Sequence, residues 1–197
     1  MSYSFKLIPK EEQKSSVWAG GSSTQLAIYP EDAEYSKVNF KWRLSSAKVE
    51  IVESNFTHLP KVDRYIMTLN GDLKLDHGEH GNVNLKPFQV HNFNGEWTTK
   101  SYGMVTDFNL MLRDGCKGNI SPILMASNSN HVIEKNLSQI EAFYCVEGTV
   151  TILINNEDNI SLNQNDLLLL YTDNEDIIVT LNSLEEDCKL VRAQIYQ

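Results

Sequence analysis

The stretch RYIMTLNGDLKL, residues 64–75, decides the fold of this chain, because its pattern occurs a second time. Apolar residues lie on both sides of Asn70-Gly71, and glycine tolerates the positive φ of tight turns, so the pattern predicts a strand, a turn or bulge, and a second strand. The second copy is FYCVEGTVTILI at residues 143–154, where Gly148 follows Gly71 by 148 − 71 = 77 positions.

The offset of 77 extends beyond the glycine. VNL at residues 83–85 aligns with ISL at 160–162, the polar tip at 77–82 aligns with 154–159, and Phe93 aligns with Leu170. A self-match of about thirty residues without a gap favours two copies of one β unit. The alternative is that two unrelated β-meanders share the same texture of apolar runs and turns.

Composition and length indicate an all-β protein. The 197 residues suffice for one large domain or two small ones with an adequate core. Aromatic and β-branched residues are frequent, and no long segment repeats apolar residues at helical spacing. The turn-rich stretch at residues 114–122 predicts a boundary between an N-terminal unit, 1–115, and a C-terminal unit, 116–197, with terminal strands that could be shared. Asn94-Gly95 is the strongest short hairpin signal in the chain.

The charge of the chain and the composition of its segments limit the classes of partner that we expect it to bind. The net charge of −9 and the scattered Lys and Arg residues argue against nucleic-acid binding. Neither a signal peptide nor a membrane span is recognisable, so we expect no membrane partner and a cytoplasmic location. Cys116, Cys145 and Cys188 lie at wide, unpatterned spacing, which favours reduced thiols over a disulfide framework.

Two predicted strands carry polar residues on one face. Arg43 and Ser45 alternate with apolar residues in the first, and Asp107 and Asn109 do so in the second. Asp and Asn are poor strand formers, so their presence needs some compensation. These faces either line a binding cavity or form a solvated outer surface, and periodicity leaves both readings open.

Catalytic and metal-binding signals are sparse. Among five histidines only His77 and His80 are clustered, and they fall on a predicted hairpin tip where we expect them to be solvated. A metal site there would require the loop to fold back. No nucleophile elbow and no cysteine nucleophile signature occurs. We therefore predict neither a catalytic residue nor a metal or other cofactor.

Five ordered motifs carry a family resemblance. They are Trp18 with Gly20-Gly21 and Thr24, FKWRLS at 40–45, FTHLPKVDR at 56–64, LKPF at 85–88 and DFNLM at 107–111. In this order they resemble the HutD/Ves family over about residues 5–115, whereas the likeness after residue 120 is weaker. Two departures are Lys61, where the family usually has glycine after proline, and a Trp-to-Thr interval about one residue shorter, which affects the alignment of Ser22 and Ser23.

The resemblance implies a bicupin, in which two jelly-roll (double-stranded β-helix) barrels are built from one chain, here 1–115 and 116–197. It implies no established enzymatic activity. Family members are associated with histidine-utilisation genes, where a role in sensing or limiting pathway intermediates is proposed, or with stress induction. Metal-dependent cupins carry a His-x-His, a following Glu and a later His, and neither half of this chain has that set. Homodimers are common among cupins, and an exposed strand edge would supply the contact.

The resemblance and the strand patterns together predict a binding site in the first barrel. Arg43 and Arg64 cannot both point into one barrel unpaired, because an isolated buried charge costs several kcal/mol. Asp63, Asp107 or a ligand must then compensate them, and the planar fork of arginine suits a carboxylate. Seven residues are predicted to bind a small organic acid: Trp18, Thr24, Arg43, Ser45, Arg64, Asp107 and Asn109.

Three functional hypotheses follow. The first is a non-catalytic, regulatory protein that binds a small organic acid. The second is a metal-independent isomerase or hydrolase that uses Asp107 as a general base, which requires a raised pKa and is disfavoured by a nearby arginine. The third is a ligand-free scaffold with internal salt bridges. The residue 77 positions after Arg64 is Glu141, so we expect the site in the first barrel and a structural role for the second.

Overall fold

The computed structural model describes residues 3–134, 138–172 and 177–197. Within these residues the chain forms nineteen β-strands and three short 3₁₀ helices, Lys10–Glu12, Tyr35–Lys37 and Gly78–His80, which confirms the predicted all-β class. None of the helices in these ranges is long and apolar enough to cross a membrane.

The chain divides into two compact units, residues 13–120 and residues 1–12 with 121–197. The strands that begin before residue 117 are β1 Tyr3–Ile8, β2 Lys14–Trp18, β3 Gly21–Tyr29, β4 Trp42–Val49, β5 Glu53–Asn55, β6 Asp63–Asn70, β7 Leu73–Asp76, β8 Asn82–Leu85, β9 Val90–Asn94, β10 Lys100–Tyr102 and β11 Thr106–Leu112. The later strands are β12 Lys117–Met125, β13 Asn130–Ile133, β14 Ile140–Glu147, β15 Val150–Ile154, β16 Asp158–Leu162, β17 Leu167–Thr172, β18 Val179–Ser183 and β19 Cys188–Tyr196. The amino terminus joins the later strands because β1 pairs antiparallel with β17.

The strand order repeats between the two units. The first unit contains the sheets β2-β3-β4-β11-β6-β9 and β5-β10-β7-β8, and the second contains β1-β17-β14-β19-β12 and β13-β18-β15-β16. Strands β4–β11 and β12–β19 therefore follow the same pairing scheme, which β2 and β3 extend in one unit and β1 in the other.

The strand register keeps the offset that the sequence shows. Arg64 lies opposite Phe93 in the β6/β9 pair, and Glu141 lies opposite Leu170 in the β14/β17 pair, each 77 positions later. The hairpins β7/β8 and β15/β16 keep the same offset. The predicted internal repeat is thus confirmed at the level of strand pairing.

Gly71 and Gly148 occupy equivalent positions in this repeat. Both have φ of +83°, and a Cβ atom added at either would lie 2.7 Å from Met104 O or 2.8 Å from Asp187 O, respectively. At Gly71 the chain passes from β6 to β7, which belong to different sheets. Glycine is required there because the backbone needs positive φ and a close approach to a neighbouring carbonyl.

The hairpin predicted at Asn94-Gly95 is wrong. Strand β9 pairs with β6, while the next strand, β10, pairs with β5 and β7. Gly95 instead packs against the preceding loop, because its N–H donates to Val62 O at 2.7 Å and its carbonyl accepts from Leu59 N at 2.7 Å. An added Cβ would lie 2.6 Å from Leu59 O, so close packing explains the glycine.

Each unit has an apolar core. Ile66 and Leu75 are fully buried in a cluster of the first unit, and Phe143 and Ile152 are fully buried in a larger cluster of the second. The three cysteines, which the sequence predicts to be reduced thiols, are free and buried.

Candidate ligand-binding cavity

A cavity of about 430 Å³ lies in the unit formed by residues 13–120. Its walls come from β2, β3, β4, β5, β6 and β11, with Tyr35, Phe56 and Thr57 from the connections. Six of the seven predicted site residues line it: Trp18, Arg43, Ser45, Arg64, Asp107 and Asn109.

Strand alternation explains why these side chains converge. In the central strand β11, Met111 lies opposite Arg43 of β4 and opposite Arg64 of β6, so the two arginines flank one cross-strand row. Asn109 lies opposite Ser45 one pleat further along. The other face of β11 carries apolar residues such as Phe108, which is fully buried. The polar face therefore lines a cavity and is not a solvated outer surface.

Thr24 is the exception among the seven. Its hydroxyl lies 2.8 Å from Ser15 Oγ, and it is not part of the cavity wall. The neighbouring Ser23 lines the cavity, because successive residues of a strand point to opposite faces. The one-residue difference in the Trp-to-Thr interval is the sequence signal for this shift.

Arg43 is held by neutral groups. Its Nε donates to Gln25 Oε1 at 3.1 Å and its Nη1 donates to Ser45 Oγ at 2.8 Å. Its Cζ lies 4.3 Å from the centroid of the Tyr35 ring. Burial lowers the pKa of Arg43 below its ordinary value, with the Tyr35 hydroxyl opposing this. The guanidinium is therefore positioned without a carboxylate partner among the described residues.

Arg64 is held mainly by aromatic rings. Its Cζ lies 4.7 Å from the Phe56 ring centroid and 5.0 Å from that of Phe93, a cation–π arrangement. Its Nε is buried and has no hydrogen-bond partner in the described part of the chain. Burial lowers the pKa of Arg64 to about 10, and the charge of Arg43 adds to this, whereas Tyr35 and Asp107 oppose it. The guanidinium remains protonated at neutral pH.

Asp107 faces the same cavity. It is 5% exposed, and its hydrogen bond to Ser46 Oγ is made by its backbone oxygen. Burial raises the pKa of the Asp107 carboxyl to about 7, although Arg64 opposes the rise. Arg64 thus works against the raised pKa, as expected of a nearby arginine, but desolvation of the Asp107 carboxyl outweighs it. Asp63, the other predicted partner, is exposed on β6.

Several contributors were missed by the sequence analysis. Tyr35 lies in a 3₁₀ helix and Phe56 lies after β5, so neither has a strand periodicity that would assign it to the cavity. Gln25 is placed by a break in the β3/β4 register between Gln25 and Ala27. Phe56 does stand in one of the five motifs, which is the only signal available for it.

Of the two clustered histidines, His80 is exposed, as expected, whereas His77 is buried. His77 is 3% exposed, and its Nδ1 lies 2.8 Å from Thr99 Oγ1 while its Nε2 lies 3.0 Å from His91 Nε2. Burial lowers the pKa of both imidazoles, and for His77 the neighbouring His91 lowers it further. His80 stacks on Trp97 with ring centroids 4.3 Å apart. No group of three or more His, Cys, Asp or Glu residues suited to a metal occurs in the ranges that the structure describes.

Comparison with known proteins identifies the family. The HutD family model matches residues 10–188. This chain belongs to the HutD family. The match extends well past residue 120, where the sequence motifs of the HutD family were weak. The search of curated proteins found no match.

Solved structures share the fold at low sequence identity. A conserved protein of unknown function from Pseudomonas aeruginosa is 16% identical with a TM-score of 0.81, over 98% of this chain and 99% of that one. HutD from Pseudomonas fluorescens is 18% identical with a TM-score of 0.70, over 98% and 100%. The bacterial pirin YhhW from Escherichia coli, in complex with nickel(II), is 9% identical with a TM-score of 0.72, over 98% and 100%. These likenesses show a cupin-like, all-β fold.

Proposed function

We propose that this HutD-family protein binds a small organic acid in the cavity of its first unit, without catalysing a reaction. One observation carries the proposal: Arg43 and Arg64 both face one cavity, and neither has a carboxylate within ion-pair distance among the described residues.

A buried cation such as Arg64 needs a compensating negative charge. Leaving such a charge uncompensated costs several kcal/mol. A carboxylate fits the planar guanidinium fork, and each charge-assisted hydrogen bond contributes roughly 1.5–3 kcal/mol. A ligand carboxylate would supply the ion-pair partner that neither arginine has among the described residues. The scaffold hypothesis is weaker, because it requires internal salt bridges and a crowded interior, whereas the cavity holds about 430 Å³.

We extend the proposal to a cytoplasmic bicupin, able to form a homodimer, that regulates histidine utilisation or a stress response. The repeated strand order supports the bicupin arrangement, and the free cysteines support the cytoplasmic location. The family resemblance alone supports the regulatory role.

Asp107 supports a second candidate, a metal-independent isomerase or hydrolase acting on a small carboxylate. A carboxyl whose pKa is raised to about 7 is suited to general acid–base chemistry near neutral pH. Turnover of any acid that binds, followed by NMR with Asp107→Asn as the negative control, would favour this candidate.

Isothermal titration calorimetry with formate, acetate, succinate, urocanate and N-formylglycine tests the leading proposal. We expect at least one acid to bind wild-type protein, and we expect Arg64→Ala to weaken that binding by at least about tenfold, the loss of one charge-assisted hydrogen bond. Arg113→Ala is the matched control, because Arg113 does not line the cavity and pairs with exposed Asp114. Equal affinities for wild type and Arg64→Ala would contradict the proposal that Arg64 binds the ligand carboxylate.

A further inference from the structure

The cavity wall contains one carboxyl group, that of Asp107, in the same space as the two arginines. The other charged or titratable groups of the wall are Arg43 on β4, Arg64 on β6 and Tyr35 in the 3₁₀ helix. The remaining polar groups, such as Ser23 on β3, carry no charge. The wall therefore has a formal charge of +1 when Asp107 is ionised and +2 when it is protonated.

Nothing in the wall fixes Asp107 in its ionised form. Its side chain has no hydrogen-bond donor and no ion-pair partner within the described residues, since its bond with Ser46 is made by the backbone. Arg64 acts on it through the Coulomb field and is itself held between the rings of Phe56 and Phe93. The carboxyl is therefore free to change its protonation state when the contents of the cavity change.

An anion that enters this cavity changes the balance in one direction. A negative charge near a carboxyl raises its pKa, because the two like charges repel each other. The ligand also neutralises part of the positive charge of Arg64, which otherwise lowers the pKa of Asp107. Burial already raises the pKa of Asp107 to about 7, so a further rise changes its protonation at physiological pH.

We propose, building on the organic-acid site above, that a carboxylate ligand binds together with a proton, which Asp107 takes up from solvent and then uses to donate a hydrogen bond to the ligand. The Asp107 carboxylate and the solvent proton combine to a neutral carboxylic acid, and no other bond forms or breaks. Binding is then tight at neutral pH and weakens as the pH rises. The protein would hold its ligand according to both acid concentration and pH.

Proton uptake can be measured directly. Formate and succinate are the probes, because both are fully ionised at pH 8 and bring no proton of their own. Each is titrated into wild-type protein by calorimetry at pH 8 in Tris and in HEPES, whose ionisation enthalpies differ. We expect the observed enthalpy to differ between the buffers in proportion to an uptake of half a proton or more. We also expect the affinity to fall by about fivefold or more between pH 7 and pH 8.5.

Two variants show whether Asp107 is the group that titrates. Asp107→Asn keeps the size and removes the titration, so we expect a buffer-independent enthalpy and an affinity that is flat with pH. Asp63→Asn, at the exposed carboxylate on β6, is expected to retain the wild-type uptake. Circular dichroism melts establish that both variants fold, and the wild-type uptake needs no variant.

The outcomes separate this inference from the function on which it rests. Binding with a buffer-independent enthalpy and a flat affinity in wild type would overturn the coupling and leave organic-acid binding intact. Uptake that persists in Asp107→Asn would overturn the assignment to Asp107. If neither probe binds at any pH and no other acid of the panel does, the proposed function fails, and the coupling fails with it.

Discussion

Arg64 and Glu141 occupy equivalent places in the two units, 77 positions apart, yet their surroundings differ in kind. Glu141 is completely buried and accepts hydrogen bonds from Ser138 N at 2.7 Å, Arg192 Nε at 2.6 Å and Gln194 Nε2 at 3.2 Å. Arg64 is buried between aromatic rings, with its Nε unpartnered in the described residues.

The strand neighbours explain the contrast. Glu141 lies opposite Gln194 of β19, which reaches its carboxylate, whereas Arg64 lies opposite Met111 of β11, which offers no acceptor. In the second unit, protein groups satisfy the charged residue at this position. In the first unit, the charged residue is a cation that faces a cavity. The repeat therefore identifies equivalent positions in the two units, whereas the charge without an ion-pair partner identifies the candidate site.

Removing Glu141 should have the largest effect on stability. Glu141→Ala removes the buried carboxylate that pairs with Arg192 and the acceptor of the Ser138 N–H, and breaking such a buried pair costs about 3–5 kcal/mol. Urea denaturation followed by fluorescence measures this loss. Lys189→Ala, which removes an exposed pair with Glu147, is the control and should cost less than about 1 kcal/mol. A cost for Glu141→Ala as small as that of the control would break the comparison.

Replacing Arg64 should have the opposite balance of effects. Arg64→Met removes a buried cation that has no carboxylate partner, so we expect a free energy of unfolding no lower than that of wild type, together with at least about a tenfold loss of carboxylate affinity. Urea denaturation and calorimetry on the same preparation test both parts. A destabilisation equal to that of Glu141→Ala would show that Arg64, too, is part of an internal network.

The buried histidines of the first unit should give a smaller, pH-dependent effect. The pKa values of His77 and His91 are lowered in the folded state, so the unfolded chain binds protons first as the pH falls below about 6.5, and stability decreases toward the folded pKa values. Asp107 acts in the opposite sense, because its folded pKa is raised to about 7 and its contribution is lost as the pH rises from about 4 to 7.

The double variant His77→Gln/His91→Gln separates these contributions. Urea denaturation at pH 7.5 and pH 5.5 should show that the free energy of unfolding falls more on acidification for wild type than for the double variant. Equal losses in the two proteins would exclude the histidine pair as the acid-sensitive element of this unit.

The smallest effect is expected at Thr24. Its side chain lies outside the cavity, so Thr24→Val should change carboxylate affinity less than about twofold and the free energy of unfolding by less than about 0.5 kcal/mol. Calorimetry on Ser23→Ala, at a wall position, provides the comparison. A larger loss of affinity in Thr24→Val than in Ser23→Ala would contradict the register of β3.

Composition and strand alternation predicted the all-β class, and together with the family resemblance they indicated much of the candidate site. Gly71 and Gly148 made the repeat recognisable in the sequence, because positive φ and close packing require glycine at both positions. Period-two patterns placed Arg43 on one strand face and Asp107 with Asn109 on another, since regular strands send alternate residues to one face. The family resemblance was needed to assign these faces to a cavity.

The remaining features depend on tertiary packing. The close approach of Gly95 to Leu59 and the burial of His77 beside His91 join segments that are separate in the chain, so no local pattern reports them. The raised pKa of Asp107 depends on desolvation and on its separation from Arg64, quantities that only the folded chain defines.

The most direct test of the contrast between the units is a titration of ¹⁵N-labelled protein with succinate and formate, followed by amide NMR shifts. We expect the shifts to concentrate in β4, β6 and β11, around Arg43, Arg64 and Asp107, while the amides of β14 and β19 around Glu141 stay unchanged. Shifts centred on β14 and β19, or spread equally over both units, would contradict it.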